Sequence, residues 1–359
     1  MTFKFSMHYI RNIYIFFSFL ALTIFFFSTT ELKANTYEIN NIEISKPFEN
    51  NFDKSEVIDF GFKKAFFELI YLLIKSSDYT KIENVKLNQI KGMIESFSIQ
   101  EERFIDQIYY VNLGVTFNKR KIFNFLEKKN IRPSQIKNET FLFVPIIIDE
   151  NINEIKIFSN NPIYENWNTE SKKYELINYL LPTEDLEDYN LIKDKLDVIE
   201  TYSFDEITKK YFLNHSIISL LFKSKNEIRI LTKIYSNKKE IIKNDSFKDI
   251  DLENNDNLNF LIKNLKASYE DTWKKLNEIN TSIKLPLVVK MKNFDFEKTT
   301  DFEGLLQEIE LVNNYFVQKI DKEFIFYEIL FNGTVQSFIN IMKNKNYNLN
   351  TQKKIWTIE

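Results

Sequence analysis

The eight residues Phe141 to Ile148 read FLFVPIII, with no polar side chain among them. Side chains of a strand alternate between its two faces, so a run apolar at every position belongs in the middle of a sheet covered on both sides. Pro145 brings no N–H to a ladder and predicts a bulge or a local edge there. The segments before this strand follow the same logic. Tyr37 to Ile44 alternates apolar and polar residues and reads as a strand, and Asp53 caps an apolar helix that runs to about Lys75. Val85 to Ser96 reads as a shorter helix, Tyr109 to Phe117 as a strand and Lys119 to Lys129 as a helix.

The C-terminal residues repeat this grammar. Leu287 to Met291 is an expected strand, Asp301 to Val312 a helix, and Tyr315 to Ile320 a strand. Glu323 to Phe331 is expected to pair with that strand across the Asp321-Lys322 turn; a helix at Thr334 to Lys343 and a strand at Lys354 to Ile358 follow. VTFNKRKIFNFLEKKNI (Val115 to Ile131) and ILFNGTVQSFINIMKNKNY (Ile329 to Tyr347) both run strand, Phe-Asn, helix and Lys-rich exit. Two related βαββα units are one reading, and a shared composition bias is the other. Between them lie a hairpin (Ile217 to Phe222 with Glu227 to Tyr235), a third strand near Glu240 to Ile242, a polar loop at Asn244 to Asn257 and an amphipathic helix at Leu258 to Ile279. The expected fold class is α+β, with small mixed or antiparallel sheets, packed helices and βαββ-type units at both ends. The expected division is a leader at 1–34 and domains at 35–149, 150–283 and 284–359.

Several chemistries are closed to this chain. It has no cysteine and only His8 and His215, which excludes thiol nucleophiles, cysteine-ligated zinc and a multi-histidine zinc site within one chain. Its five glycines lie too far apart for a phosphate-cradling loop. Net charge is −3, giving no electrostatic reason to expect nucleic acid.

The N-terminus sets the expected compartment. Lys4 and Arg11 precede an uncharged stretch from Asn12 to Thr30, almost wholly apolar between Ile13 and Phe27, and Ala34 precedes Asn35. That is the pattern of a secretory signal peptide cleaved after Ala34. The alternative is an uncleaved inner-membrane anchor at residues 12–30, the only case in which membrane contact is expected. Without residues 1–34 the chain keeps 45 basic and 50 acidic residues.

The densest charge lies in LPTEDLEDYN, Leu181 to Asn190. Thr183 is the expected N-cap of a helix, with Glu184, Asp185 and Glu187 in its first turn. Asp188 lies one turn from Glu184, so the two share a face and could clamp a hard divalent cation, although no third ligand is identifiable. In NPIYENWN, Tyr164 and Trp167 stand three apart on a short helix or loop, where they either grip sugar or peptide or plug a core edge. Tyr164, Trp167, Glu184, Asp185 and Asp188 are therefore the candidate contacts for a ligand or partner. His215 has no evident base or metal partner in sequence and reads as structural.

Three phrases, FLFVPII (Phe141 to Ile147), NPIYENWN and LPTEDLEDYN, resemble consecutive landmarks of the domain-of-unknown-function 2066 family of exported proteobacterial proteins. Gly333 with the helix after it, the closing KIWTIE, and the helix around Ala65 are similar to that family's end and beginning. Tyr164 stands where the family pattern has tryptophan. The resemblance implies an exported protein of a single architecture and supplies no catalytic residue. No catalytic, cofactor-binding or metal-binding residue is assigned, and no cofactor is expected. The expected role is a non-catalytic, periplasmic binding or accessory protein of the bacterial cell envelope, its partner another envelope protein or the cell wall. Strand edges such as Glu323 to Phe331 are an expected contact surface. The alternative is a carboxylate-dependent envelope hydrolase using the acids at 184–188 with a partner elsewhere.

Overall fold

The computed structural model describes residues 36–169, 175–237, 239–293 and 296–358; the leader expected at 1–34 and its expected cleavage after Ala34 lie outside the described residues. The fold is α+β, built on three sheets. The first is made by β1 (Thr36–Pro47), α1 (Lys54–Leu73), α2 (Leu87–Met93), β2 (Ile94–Ile105), β3 (Ile108–Asn118) and α3 (Lys119–Lys128). Its strand order is β1-β3-β2, with β3 antiparallel to both neighbours. Asp53 caps α1 as expected, its carboxylate accepting the Ser55 N–H at 2.8 Å. One face of α1, including Phe66, Leu69, Ile70 and Leu73, is buried against Ile42, Leu113, Val115 and Phe117. Gly61 lets helix and sheet come this close: a Cβ there would stand 2.4 Å from Leu113 Cδ1 and 2.7 Å from Ile44 Cδ1.

The helix expected at Val85 to Ser96 is shorter, ending at Met93, and the chain turns directly into β2. Eleven of the twelve residues of β2 are exposed, so it carries no buried alternation to mark it as a strand.

The second sheet uses β4 (Glu139–Asp149), β5 (Glu154–Lys156), α4 (Pro162–Asn166), β6 (Ile177–Leu180), α5 (Leu186–Asp194), α6 (Asp205–Thr208), β7 (His215–Lys223), β8 (Glu227–Ser236), β9 (Lys239–Lys248) and α7 (Asn255–Leu276). Its order is β5-β4-β7-β8-β9, with β6 also paired to β4. The all-apolar run is thus an interior strand. Phe141, Phe143 and Ile147 pack with α7 on one face, while Leu142, Val144 and Ile146 belong to a separate core on the other. Because β4 pairs with β7 and forms a hairpin with β5, the expected division between residues 149 and 150 falls inside one sheet. The third hairpin strand is longer than expected, so Asn244 to Lys248 is strand and not loop.

Pro145 occupies a local edge. On that side β6 covers residues 139–142 and β5 covers 147–149, leaving a gap between them. Fully buried Asn161 fills it, its amide donating to the carbonyls of Pro145 at 3.0 Å, Lys156 at 3.1 Å and Ile157 at 3.3 Å. A strand residue's N and C=O point to the same side, so the N–H that proline lacks would also have faced this gap.

The third sheet contains β10 (Leu285–Lys292), α8 (Phe296–Glu308), β11 (Val312–Ile320), β12 (Phe324–Phe331), α9 (Val335–Asn344), β13 (Leu349–Asn350) and β14 (Trp356–Ile358), ordered β11-β12-β10-β14-β13. Its first three strands repeat the N-terminal arrangement: β12, like β3, is central and antiparallel to both neighbours. The helices after these central strands also correspond. Asn118 accepts from Lys121 N–H and Thr334 from Ser337 N–H, and the residues four and eight beyond each cap (Ile122 and Leu126, Phe338 and Met342) are fully buried. The expectation that Glu323 to Phe331 offers an edge is corrected here. Both sides of β12 are already paired, and the open edge belongs to β11. Among the described residues no helix is long and apolar enough to cross a membrane.

Candidate functional site

The acidic stretch folds as a helix start, two residues later than expected. Asp185, not Thr183, is the N-cap of α5 and accepts the Glu187 N–H at 2.8 Å. That hydrogen bond, aided by the ammonium of Lys210, holds the Asp185 carboxyl below its ordinary value. Glu184 therefore precedes the helix and turns away, accepting the Ser159 N–H at 3.2 Å. Asp188 is buried, one carboxylate oxygen 2.6 Å from Lys210 Nζ. The expected shared face of Glu184 and Asp188 does not form, and no cluster of three metal-ligating residues occurs among the described residues. Lys210, bridging Asp185 and Asp188, is held well above its usual range by those two hydrogen bonds.

Tyr164 and Trp167 also separate. Tyr164 is half-buried, edge-on to Phe158, and donates its hydroxyl proton to the Pro182 carbonyl at 2.8 Å. Trp167 lies on the opposite side of the sheet, fully buried and stacked on Phe143 with ring centroids 3.9 Å apart. Two aromatic residues three positions apart, one in this one-turn helix and one at its C-cap, thus enter two cores, and they cannot grip one ligand together. These contacts join the three phrases noted in the sequence: Asn161 binds the Pro145 carbonyl and Tyr164 binds Pro182.

Trp167 does line a cleft of about 280 Å³ between α7 and the end of α1. Its indole N–H has no acceptor among the described residues. The cleft floor is a charged row at every fourth position of α7: Lys266, Glu270 and Lys274. Glu270 accepts the N–H groups of Leu176 and Ile177, the closest at 2.8 Å, and burial pushes its carboxyl up. Lys274 donates to the Tyr71 carbonyl at the end of α1 at 2.6 Å, and burial lowers its amine. Asp271 accepts both the N–H and the hydroxyl of Ser76, at 2.7 and 2.6 Å. Glu270 thus ties the start of β6 to α7, while Lys274 and Asp271 hold Tyr71 and Ser76 and so lock the N-terminal unit to the middle sheet. The sequence reading missed this row, although its i, i+4, i+8 spacing beside the apolar stripe of Leu261, Leu265, Tyr269 and Trp273 was the available signal.

His215 is structural, as expected. It stacks on Phe141, its Nδ1 lies 3.0 Å from Ser236 Oγ, and its Nε2 lies 4.0 Å from Glu139. The row has the residue types of a hydrolytic triad, but both His215 and Ser236 are buried in the sheet. Burial lowers the histidine's pKa against the pull of Glu139.

Among the described residues four long strands end a sheet, β1, β2, β9 and β11, and two of them expose several large apolar side chains. β2 ends the first sheet and exposes Phe97, Ile99, Phe104 and Ile105; β11 ends the third and exposes Phe316, Val317 and Ile320. Neither family models nor curated proteins give a match to this chain.

Proposed function

We propose that this chain is an exported, non-catalytic binding protein of the bacterial cell envelope, docking another envelope protein through an open strand edge. The observation that carries the reading is β11. It is a nine-residue edge with Phe316, Val317 and Ile320 at 49, 42 and 64% exposure, whereas the opposite edge of the same sheet is only the two-residue β13. Unpaired main-chain donors and acceptors beside exposed apolar side chains are what an added strand needs. The leader pattern and the resemblance to the domain-of-unknown-function 2066 family support export. The acids at 184–188 favour the binding reading over the hydrolase, because they cap a helix, hold a loop and pair with Lys210.

The test is affinity capture from envelope extracts with the leaderless chain, compared with a Phe316→Lys/Val317→Lys variant. A partner held by the first and lost by the second is the expected outcome. Reproducible wall-degrading activity with no retained partner would favour the hydrolase instead.

A further inference from the structure

The edge at the other end of the chain carries a different occupant. We propose that β2 pairs antiparallel with β2 of a second copy, joining two N-terminal sheets into one six-stranded sheet.

The pairing follows from which residues face which side. Opposed residues of neighbouring strands share a face. Phe97, Ile99, Glu102 and Phe104 lie opposite Val115, Leu113, Val111 and Tyr109, the buried side of β3, and so point toward the helix layer. Ser98, Glu101 and Arg103 lie opposite Gly114, Asn112 and Tyr110 on the open side. The bulge between Ile99 and Glu101 changes which positions face the helices from odd to even. A two-fold pairing keeps like faces opposed only if one copy's odd positions meet the other's even positions.

Among such registers, the one with its axis between Gln100 and Glu101 sets Phe97 opposite the second copy's Phe104, twice. It sets Ser98 opposite Arg103 and Ile99 opposite Glu102, which is already neutralised by Lys54 at 2.7 Å and by the Tyr109 hydroxyl at 2.9 Å. No like charges are directly opposed within the strands; the two Glu101 meet diagonally across the axis, each paired with Arg103 of its own chain at 3.1 Å. Phe48, packed edge-on to Phe104 at 4.8 Å, extends the apolar strip.

The area also fits. Phe48, Phe97 and Phe104 are 51, 48 and 56% exposed and Ile99 39%. A phenylalanine half in solvent shows roughly 100 Å². Four such side chains from each copy, with the two strand backbones, bury on the order of 1,000 Å², the lower bound for a specific interface. The expected assembly is therefore a weak dimer. An edge this long and apolar is otherwise an aggregation hazard.

Sedimentation velocity on the chain from Asn35, from 1 to 100 µM, tests the proposal. A monomer–dimer transition is expected, with Phe97→Lys and Phe104→Lys each shifting it to monomer. The chain has no cysteine, so single cysteines report the register. Glu101→Cys brings two thiols roughly 6 Å apart across the axis and should cross-link on oxidation, while Ser96→Cys leaves them roughly 30 Å apart and should not. The cross-link holds the proposal to account even if a lysine variant fails to fold. A monomer throughout, or a dimer in which Ser96→Cys cross-links and Glu101→Cys does not, would overturn it. Either result leaves the β11 reading untouched, since that rests on capture of another protein.

Discussion

Lys119 and Glu310 are the sharpest electrostatic test of how the first and last units meet. Lys119 opens α3 with only 5% of its surface in solvent, and Glu310 lies between α8 and β11. Burial lowers the Lys119 amine to about 8, even though Glu310 pulls it upward, and burial raises Glu310 against the pull of Lys119. From an ordinary value of 10.5, the lysine shift corresponds to about 3 kcal/mol of unfavourable charging in the folded state. The folded pKa is below the unfolded one, so between pH 8 and 10.5 the unfolded chain binds more protons. Stability from this group therefore rises with pH through that window, and the cost is fully present below pH 8. Glu310 acts oppositely: its folded pKa is raised, so its contribution is lost as pH climbs above the ordinary glutamate value. Lys119→Met alone would leave half-buried Glu310 without its cation and should destabilise the fold. Lys119→Met/Glu310→Gln removes both charges and should be more stable at pH 7 than either single variant. Urea unfolding from pH 7 to 9.5 checks this, with the wild type gaining stability relative to the double variant as pH rises. Parallel pH profiles would refute the assignment of a buried, charge-penalised lysine.

Further outcomes follow from particular contacts. Gly61→Val should cost about 1–3 kcal/mol in urea unfolding, because the new side chain meets Leu113 and Ile44 inside van der Waals distance and forces those buried side chains, or α1 itself, to shift. Asn161→Leu should cost more than the ~1 kcal/mol typical of one hydrogen bond, since it strands three carbonyls, two of them in bonds buried at both ends. Replacing Glu184 and Asp185 by Gln and Asn should leave partner capture intact and lower the thermal midpoint only slightly. A loss of capture without a loss of fold would reinstate the acidic stretch as a contact site.

Elements with a buried face were legible in the sequence. The run at Phe141 to Ile148 sits inside its sheet, Asp53 caps α1, and the C-terminal strand–helix–strand–strand order holds, because burial stamps a period on residue type. β2 was invisible for the same reason in reverse. Its side chains face solvent or an uncovered strip, so its composition follows no period, and only the neighbouring β3 fixes it as a strand. Pro145 signalled a local edge, but not that Asn161 would fill it, since a side chain sixteen residues away has no mark in local pattern. The acidic stretch announced a helix start correctly and misplaced it, because three consecutive residues, Thr183, Glu184 and Asp185, all offer an oxygen for the cap, and tertiary contacts chose among them. Tyr164 with Pro182 and Glu184 with Ser159 are those contacts. Trp167 alone of the five expected contact residues lines the cleft, from a position already buried by Phe143 and Tyr269.

Fractionation of cells followed by mass spectrometry of the intact protein shows most directly where the chain works. The expected species is a polypeptide beginning at Asn35 in the periplasmic fraction, or one retaining residues 12–30 in the inner membrane if the leader stays attached. A full-length chain beginning at Met1, free in the cytosol, would contradict export and with it the envelope partner.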